Sequence, residues 1–258
     1  MTAARVEDAA RLLDGVARLT PVQPIERLSD VAGVPVVVKR EDLQRCRSFK
    51  MRGAYNKIAR LSQQEREHGV VCASAGNHAQ GVALACSELG IDGTIYLPSS
   101  TPRQKRDRIE SLGGDHVQMV FVHGTFDEAQ AAAKSDATET GRIYVHPFDD
   151  PDVMAGQGSI AKEISNQLGS DLGTVLIPVG GGGLLAGMAA WLKTNRPGVR
   201  VIGVEPRGAA SMAAALEAGQ PTTLEDIDGF VDGTAVRRAG DLSHAIIGSL
   251  VDQIVTVP

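Results

Sequence analysis

Short apolar runs rich in β-branched residues alternate with helical patterns along nearly the whole chain, and this alternation limits the fold more than any other feature. Pro35-Val36-Val37-Val38-Lys39 predicts a buried strand, with a helix following over residues 48–61. Val70-Val71-Cys72-Ala73 and Thr94-Ile95-Tyr96-Leu97 predict further strands, each followed by a helix, over 77–89 and 102–112. A strand over 117–122 and a helix over 126–140 continue the repeat. Beyond them the spacing predicts a helix over 153–168, a strand over 174–179, a helix from Gly183, a strand over 199–205 and a helix over 209–218. Parallel strands need crossover connections, and helices supply them here, so the expected class is α/β with open, mostly parallel sheets flanked by helices. The closing stretch 253–258 predicts a strand with nothing to cover it, as if the chain stopped inside a domain.

Pro147-Phe148-Asp149-Asp150-Pro151 places two prolines and two acids in five residues and predicts a crossover between two units. An amphipathic helix at the N-terminus ends before Thr20-Pro21.

With 258 residues and 43% hydrophobic content, the chain can bury a substantial core. Its formal net charge is -5, and the one basic cluster, Arg103 to Arg108, is interleaved with Asp107 and followed by Glu110. That pattern describes a solvated helix face, so no nucleic-acid partner is expected. The three cysteines, Cys46, Cys72 and Cys86, form no CxxC pair and leave one over in any disulfide scheme, which suits a reducing compartment. The first residues carry Glu7, Asp8 and Asp14 where a signal peptide would be apolar. The weakly polar run 179–192 contains five glycines and falls short of the ~20 residues of a membrane span. A soluble, cytoplasmic protein is the expectation.

Val179-Gly180-Gly181-Gly182-Gly183-Leu184-Leu185-Ala186-Gly187 lies between a predicted strand and a predicted helix. Such a loop lets the backbone come close to a ligand and presents amides at the positive end of a helix, so an anion, above all a phosphate, is the natural guest. Gly181, Gly183 and Ala186 also match a dinucleotide fingerprint, with Glu205 about 20 residues on at the end of the next strand, which keeps a nicotinamide-dependent dehydrogenase as a competing reading. Ser48-Phe49-Lys50-Met51-Arg52-Gly53-Ala54 sets a lysine at a helix start, where the positive helix end favours a lowered pKa; most helical lysines are simply solvated. Ser74-Ala75-Gly76-Asn77-His78-Ala79-Gln80-Gly81 is a second small-residue loop whose amides and Ser74 hydroxyl suit a carboxylate. Its plainer reading is a helix cap, with Asn77 as the capping residue and His78 a surface or satisfied side chain.

In order and spacing these three elements resemble the threonine dehydratases, members of the fold-type II group of pyridoxal-phosphate enzymes. The resemblance runs from about residue 20 to 257 and includes Lys39-Arg40-Glu41-Asp42, Ala155-Gly156-Gln157-Gly158, Val201-Ile202-Gly203-Val204-Glu205-Pro206 and Asp232-Gly233. Threonine and cysteine synthases typically place an acid after the lysine, whereas Met51 stands between Lys50 and Arg52 here. The asparagine loop is similar to that of dehydratases and close to that of serine racemases.

The resemblance implies a tryptophan synthase β-like fold with a large cofactor-binding domain of residues 1–51 and 149–258 and a small substrate-side domain of 52–148. It implies pyridoxal 5'-phosphate held by Lys50 as a Schiff base, with Phe49 beside the ring, Asn77 on its phenolic oxygen, and Gly180, Gly181, Gly182, Gly183 and Leu184 around the phosphate, Gly233 also contributing. Ser74, Ala75, Gly76, Asn77 and His78 would take the substrate carboxylate. The implied reaction converts L-threonine to 2-oxobutanoate and ammonia, the first step of isoleucine biosynthesis, with L-serine a poorer substrate and a homodimer or homotetramer as the assembly. A serine racemase/dehydratase and a non-catalytic fragment are the alternatives. Family members continue past the position of Pro258 into a loop whose hydroxyl meets the pyridine nitrogen, so a truncated chain is expected. In related racemases the glutamate matching Glu205 shares a cation with an acid six residues on, a position held here by Ser211, so no metal is expected and Glu205 is read as structural.

Overall fold

The computed structural model describes residues 1–258. Helix α1 (Ala3–Leu12) leads to strand β1 (Val22–Pro24), helix α2 (Glu26–Ala32) and strand β2 (Val37–Lys39). The expected buried parallel strand at 35–39 is instead half of a two-stranded antiparallel ribbon, with Val22 opposite Lys39 and Pro24 opposite Val37. Its partner carries a proline, which lacks the N–H of a central strand and is tolerated only at an edge, so β1 has no strand signature in the sequence.

Helices α3 (Lys50–Ala59) and α4 (Gln63–His68) precede the first parallel sheet. It is built from β3 (Val70–Ala73), α5 (Asn77–Leu89), β4 (Gly93–Pro98), α6 (Arg103–Gly113), β5 (Val117–Val122), α7 (Phe126–Thr140) and β6 (Ile143–Tyr144), in the strand order β5-β4-β3-β6. All four residues of β3 are buried, as befits an inner strand covered on both faces. Helix α8 (Pro151–Leu168) then crosses to β7 (Thr174–Pro178), α9 (Gly183–Asn195), β8 (Arg200–Pro206), α10 (Ser211–Ala218), α11 (Asp241–Leu250) and β9 (Gln253–Val257), giving a second parallel sheet in the order β7-β8-β9. The fold is α/β with parallel sheets flanked by helices.

Strand β9 is covered only in part: Ile254 packs on the main apolar core, in space left open by Gly203 of β8, while Gln253, Thr256 and Val257 are exposed. Helix α11 was not anticipated. It buries Ser243, Ile246 and Ile247, a one-sided i, i+3, i+4 set too short to stand out from the polar stretch before it.

Two larger apolar cores form, one around Leu185, Leu192 and Val201 and the other around Ile58, Val82 and Ile95. Helix α3 lies between them, pressed against α5 on one side and α8 on the other. A Cβ on Gly81 would lie 3.0 Å from the Lys50 carbonyl carbon, and one on Gly156 would lie 2.7 Å from the Arg52 carbonyl carbon, so hydrogen at both positions lets the helix backbones meet.

Candidate active site

Lys50 is the first residue of α3, and its Nζ donates to the carbonyl oxygen of Pro147 at 2.8 Å. No carboxylate pairs with it, and burial lowers its pKa to about 8. The amine therefore gives up its proton more readily than a solvated helical lysine. Phe49 precedes it, the ring centroid 5.6 Å from Nζ.

The glycine loop joins β7 to α9. Gly181, Gly182 and Gly183 are buried, and none of the N–H groups from Gly180 to Leu185 donates to another atom of the chain. The Phe148 ring occupies the place a Cβ on Gly181 would take, and Gly182 has φ +96°, so neither position accepts a side chain without strain. A row of buried donors at a helix N-terminus without acceptors is costly unless an anion meets it, and a phosphate monoester has the charge and the oxygens to do so. These residues thus fit the phosphate of pyridoxal 5'-phosphate, as Lys50 fits its aldehyde.

In the second loop the Ser74 N–H donates to the Tyr96 carbonyl at 3.1 Å, and the Ser74 hydroxyl accepts the Gly76 N–H at 3.2 Å. Gly76 is the cap of α5; Asn77, expected there, is the first helical residue and is exposed. Ala75 and Gly76 are half-buried. His78 is buried rather than at the surface, with Nε2 2.8 Å from the Val145 carbonyl oxygen and Nδ1 enclosed without a partner. Burial, reinforced by the charge of Lys50, lowers its pKa to about 3, so it is a neutral ring with Nε2 as donor and a free acceptor at Nδ1.

Gly233 is exposed; it is Thr234 and Val236 that approach Gly180. Leu184 is half-buried at the start of α9. Glu205 is fully buried, and its two oxygens accept the N–H groups of Met212 and Ala213, both at 2.8 Å, at the N-terminus of α10. Fully buried and capping α10, it is not presented to a ribose as the dehydrogenase reading requires.

Arg52 explains two motifs whose roles sequence reasoning left open. Its buried guanidinium forks onto Glu41 at 2.8 and 2.9 Å and onto Glu163 at 2.6 and 3.0 Å, and Lys39 adds a 2.6 Å pair to Glu163. This network ties α3 to Glu41, in the turn after β2, and to α8. Sequence reasoning missed Glu163 and also Phe148, Asp149 and Ser243; the segment around Phe148 read only as a crossover between two units.

The profile of the family described as pyridoxal-phosphate dependent enzyme matches residues 13–258. The chain belongs to this family. Pyridoxal phosphate is therefore its cofactor class, and the nicotinamide reading is set aside. Within the family the chain is 50% identical over 248 residues to the biosynthetic L-threonine dehydratase of Corynebacterium glutamicum, covering 95% of this chain and 57% of that protein. It is 48% identical to the biosynthetic L-threonine dehydratase of Bacillus subtilis over 239 residues, covering 93% of this chain and 57% of the relative. The chain thus spans less than two thirds of the length of these relatives. Among solved structures, the processed form of threonine deaminase isoform 2 from Solanum lycopersicum superposes with a TM-score of 0.93 at 45% identity, covering 99% of this chain and 74% of that one. Maize serine racemase gives 0.93 at 30% identity, with 99% and 76% covered. No helix is long and apolar enough to cross a membrane.

Proposed function

We propose that the chain carries the catalytic site of a threonine dehydratase, which converts L-threonine to 2-oxobutanoate and ammonia and accepts L-serine less well. The observation that supports this best is the buried amine of Lys50, which has a backbone carbonyl but no carboxylate for a partner and lies close to the N-terminus of α5 on one side and to the segment bordering the glycine loop on the other. In this reading Lys50 anchors the cofactor and, once free, removes the proton from the substrate Cα. The amides of Gly180 to Leu184 bind the phosphate, and Phe49 flanks the ring. Ser74, Ala75, Gly76, Asn77 and His78 form the carboxylate site at the positive end of α5, Asn77 also donating to the cofactor's phenolic oxygen. Bound pyridoxal phosphate would serve as the electron sink for the charge left at Cα.

The same reading assigns residues 1–51 and 149–258 to a cofactor domain and 52–148 to a substrate-side domain. The two separate parallel sheets and the two larger cores support that division. A homodimer or homotetramer in the cytoplasm, acting at the first step of isoleucine synthesis, completes the proposal.

The test is release of 2-oxo acid from threonine and serine by the purified, cofactor-loaded chain, with borohydride fixing the cofactor to Lys50 in peptide maps. A folded, yellow protein that releases neither 2-oxo acid sinks the dehydratase reading.

A further inference from the structure

The glycine loop is held from behind by residues that lie outside it. The Gly181 carbonyl accepts the Ser243 hydroxyl at 2.6 Å and the Gly240 N–H at 3.2 Å. Ser243 is fully buried. Its N–H donates to Asp149 Oδ1 at 2.9 Å, and the Leu242 N–H lies 3.4 Å from Asp149 Oδ2. The Ser243 hydroxyl has other acceptors at longer range, Asp149 Oδ1 at 3.2 Å and the Gly240 carbonyl at 3.3 Å, so its single proton goes to Gly181. Asp149 is itself fixed, its N–H donating to His146 Nδ1 at 2.7 Å. Helix α11 has no side-chain cap from its own flank, and Asp149 serves in that place.

In a trans peptide the carbonyl and the following N–H point in opposite directions. Pinning the Gly181 oxygen toward α11 turns the Gly182 N–H away from α11, among neighbouring amides that have no acceptor. A Gly–Gly peptide has little steric resistance to rotation, so without the pin its donor direction is free to vary.

We propose that Ser243, held by Asp149, is a positioning residue that sets the Gly181–Gly182 peptide so that its N–H faces the cofactor phosphate. This rests on the glycine loop being the phosphate cradle. Two ligands separate the roles: pyridoxal 5'-phosphate, and pyridoxal, which lacks the phosphate. Titrating the cofactor-free full chain with each, followed by absorbance, should show Ser243→Ala raising the Kd for pyridoxal 5'-phosphate by about tenfold, the loss of one hydrogen bond to a charged ligand's site, and leaving pyridoxal unchanged. The 31P resonance of the bound phosphate should shift in the variant. Asp149→Asn keeps the side-chain volume while weakening the hold on Ser243, and should give a smaller loss confined to the phosphorylated ligand. Equal losses for the two ligands, or no loss for either, overturn the positioning role. Wild-type protein that binds both ligands equally overturns the cradle assignment instead.

Discussion

Arg52 and Glu163 form a two-pronged ion pair between α3 and α8, at 2.6 and 3.0 Å, with the guanidinium wholly out of solvent. Arg52 is two residues from Lys50, so this pair sets where the reactive amine enters the site. Removing the guanidinium takes away the cationic partner of Glu41 and leaves Glu163 with Lys39 alone, so Arg52→Met should lower stability by about 3 kcal/mol in urea unfolding. Glu163→Gln, which leaves Glu41 to the guanidinium, should cost less. Equal stability of Arg52→Met and wild type would show that the network contributes nothing.

Lys50 makes the cofactor-free protein sensitive to alkaline pH. Its pKa is about 8 when folded and the ordinary 10.5 when unfolded, so between those values the unfolded chain binds more protons. Stability should therefore rise with pH across that window, and below about pH 8 the full cost of burying the charge remains. Lys50→Met should be more stable than wild type at pH 7, and the gap should close toward pH 10.5. Denaturant midpoints at several pH values measure this; a gap that does not vary with pH contradicts it.

His78 should stay neutral throughout the range in which the enzyme is assayed. With its pKa lowered to about 3, its ring nitrogens should show the Nε2–H tautomer by 15N NMR down to about pH 4. Any inflection in the activity profile near pH 6.5 then belongs to another group. A His78 titration near that ordinary value would refute its enclosure.

Gly181 and Phe148 should be coupled. The ring stands where a side chain at 181 would go, so Gly181→Ala should weaken pyridoxal-phosphate binding by tenfold or more. Phe148→Ala, added to it, should restore part of the loss, a coupling of ~0.5–3 kcal/mol in a double-mutant cycle. Strictly additive effects would mean that the ring and the loop do not constrain each other.

The parallel sheets were legible because inner strands such as Val70-Val71-Cys72-Ala73 are buried on both faces and therefore continuously apolar. The antiparallel ribbon was not, since Pro24 obeys edge rules that leave no periodic trace. At the site, Lys50 and the glycine loop were visible as local strings whose residue types carry chemistry. Asp149 and Ser243 were invisible for the opposite reason: 94 positions apart, each ordinary in its own neighbourhood, they acquire meaning only through the contact between them. Arg52 was seen within a motif, but its role depends on Glu163, 111 residues away.

The close seating of Gly81 on the backbone of Lys50 has a mechanical result. Because Gly156 of α8 meets α3 as closely as Gly81 of α5 does, the helix start that carries Lys50 is clamped from both sides, and neither neighbour can slide past it without breaking a backbone contact.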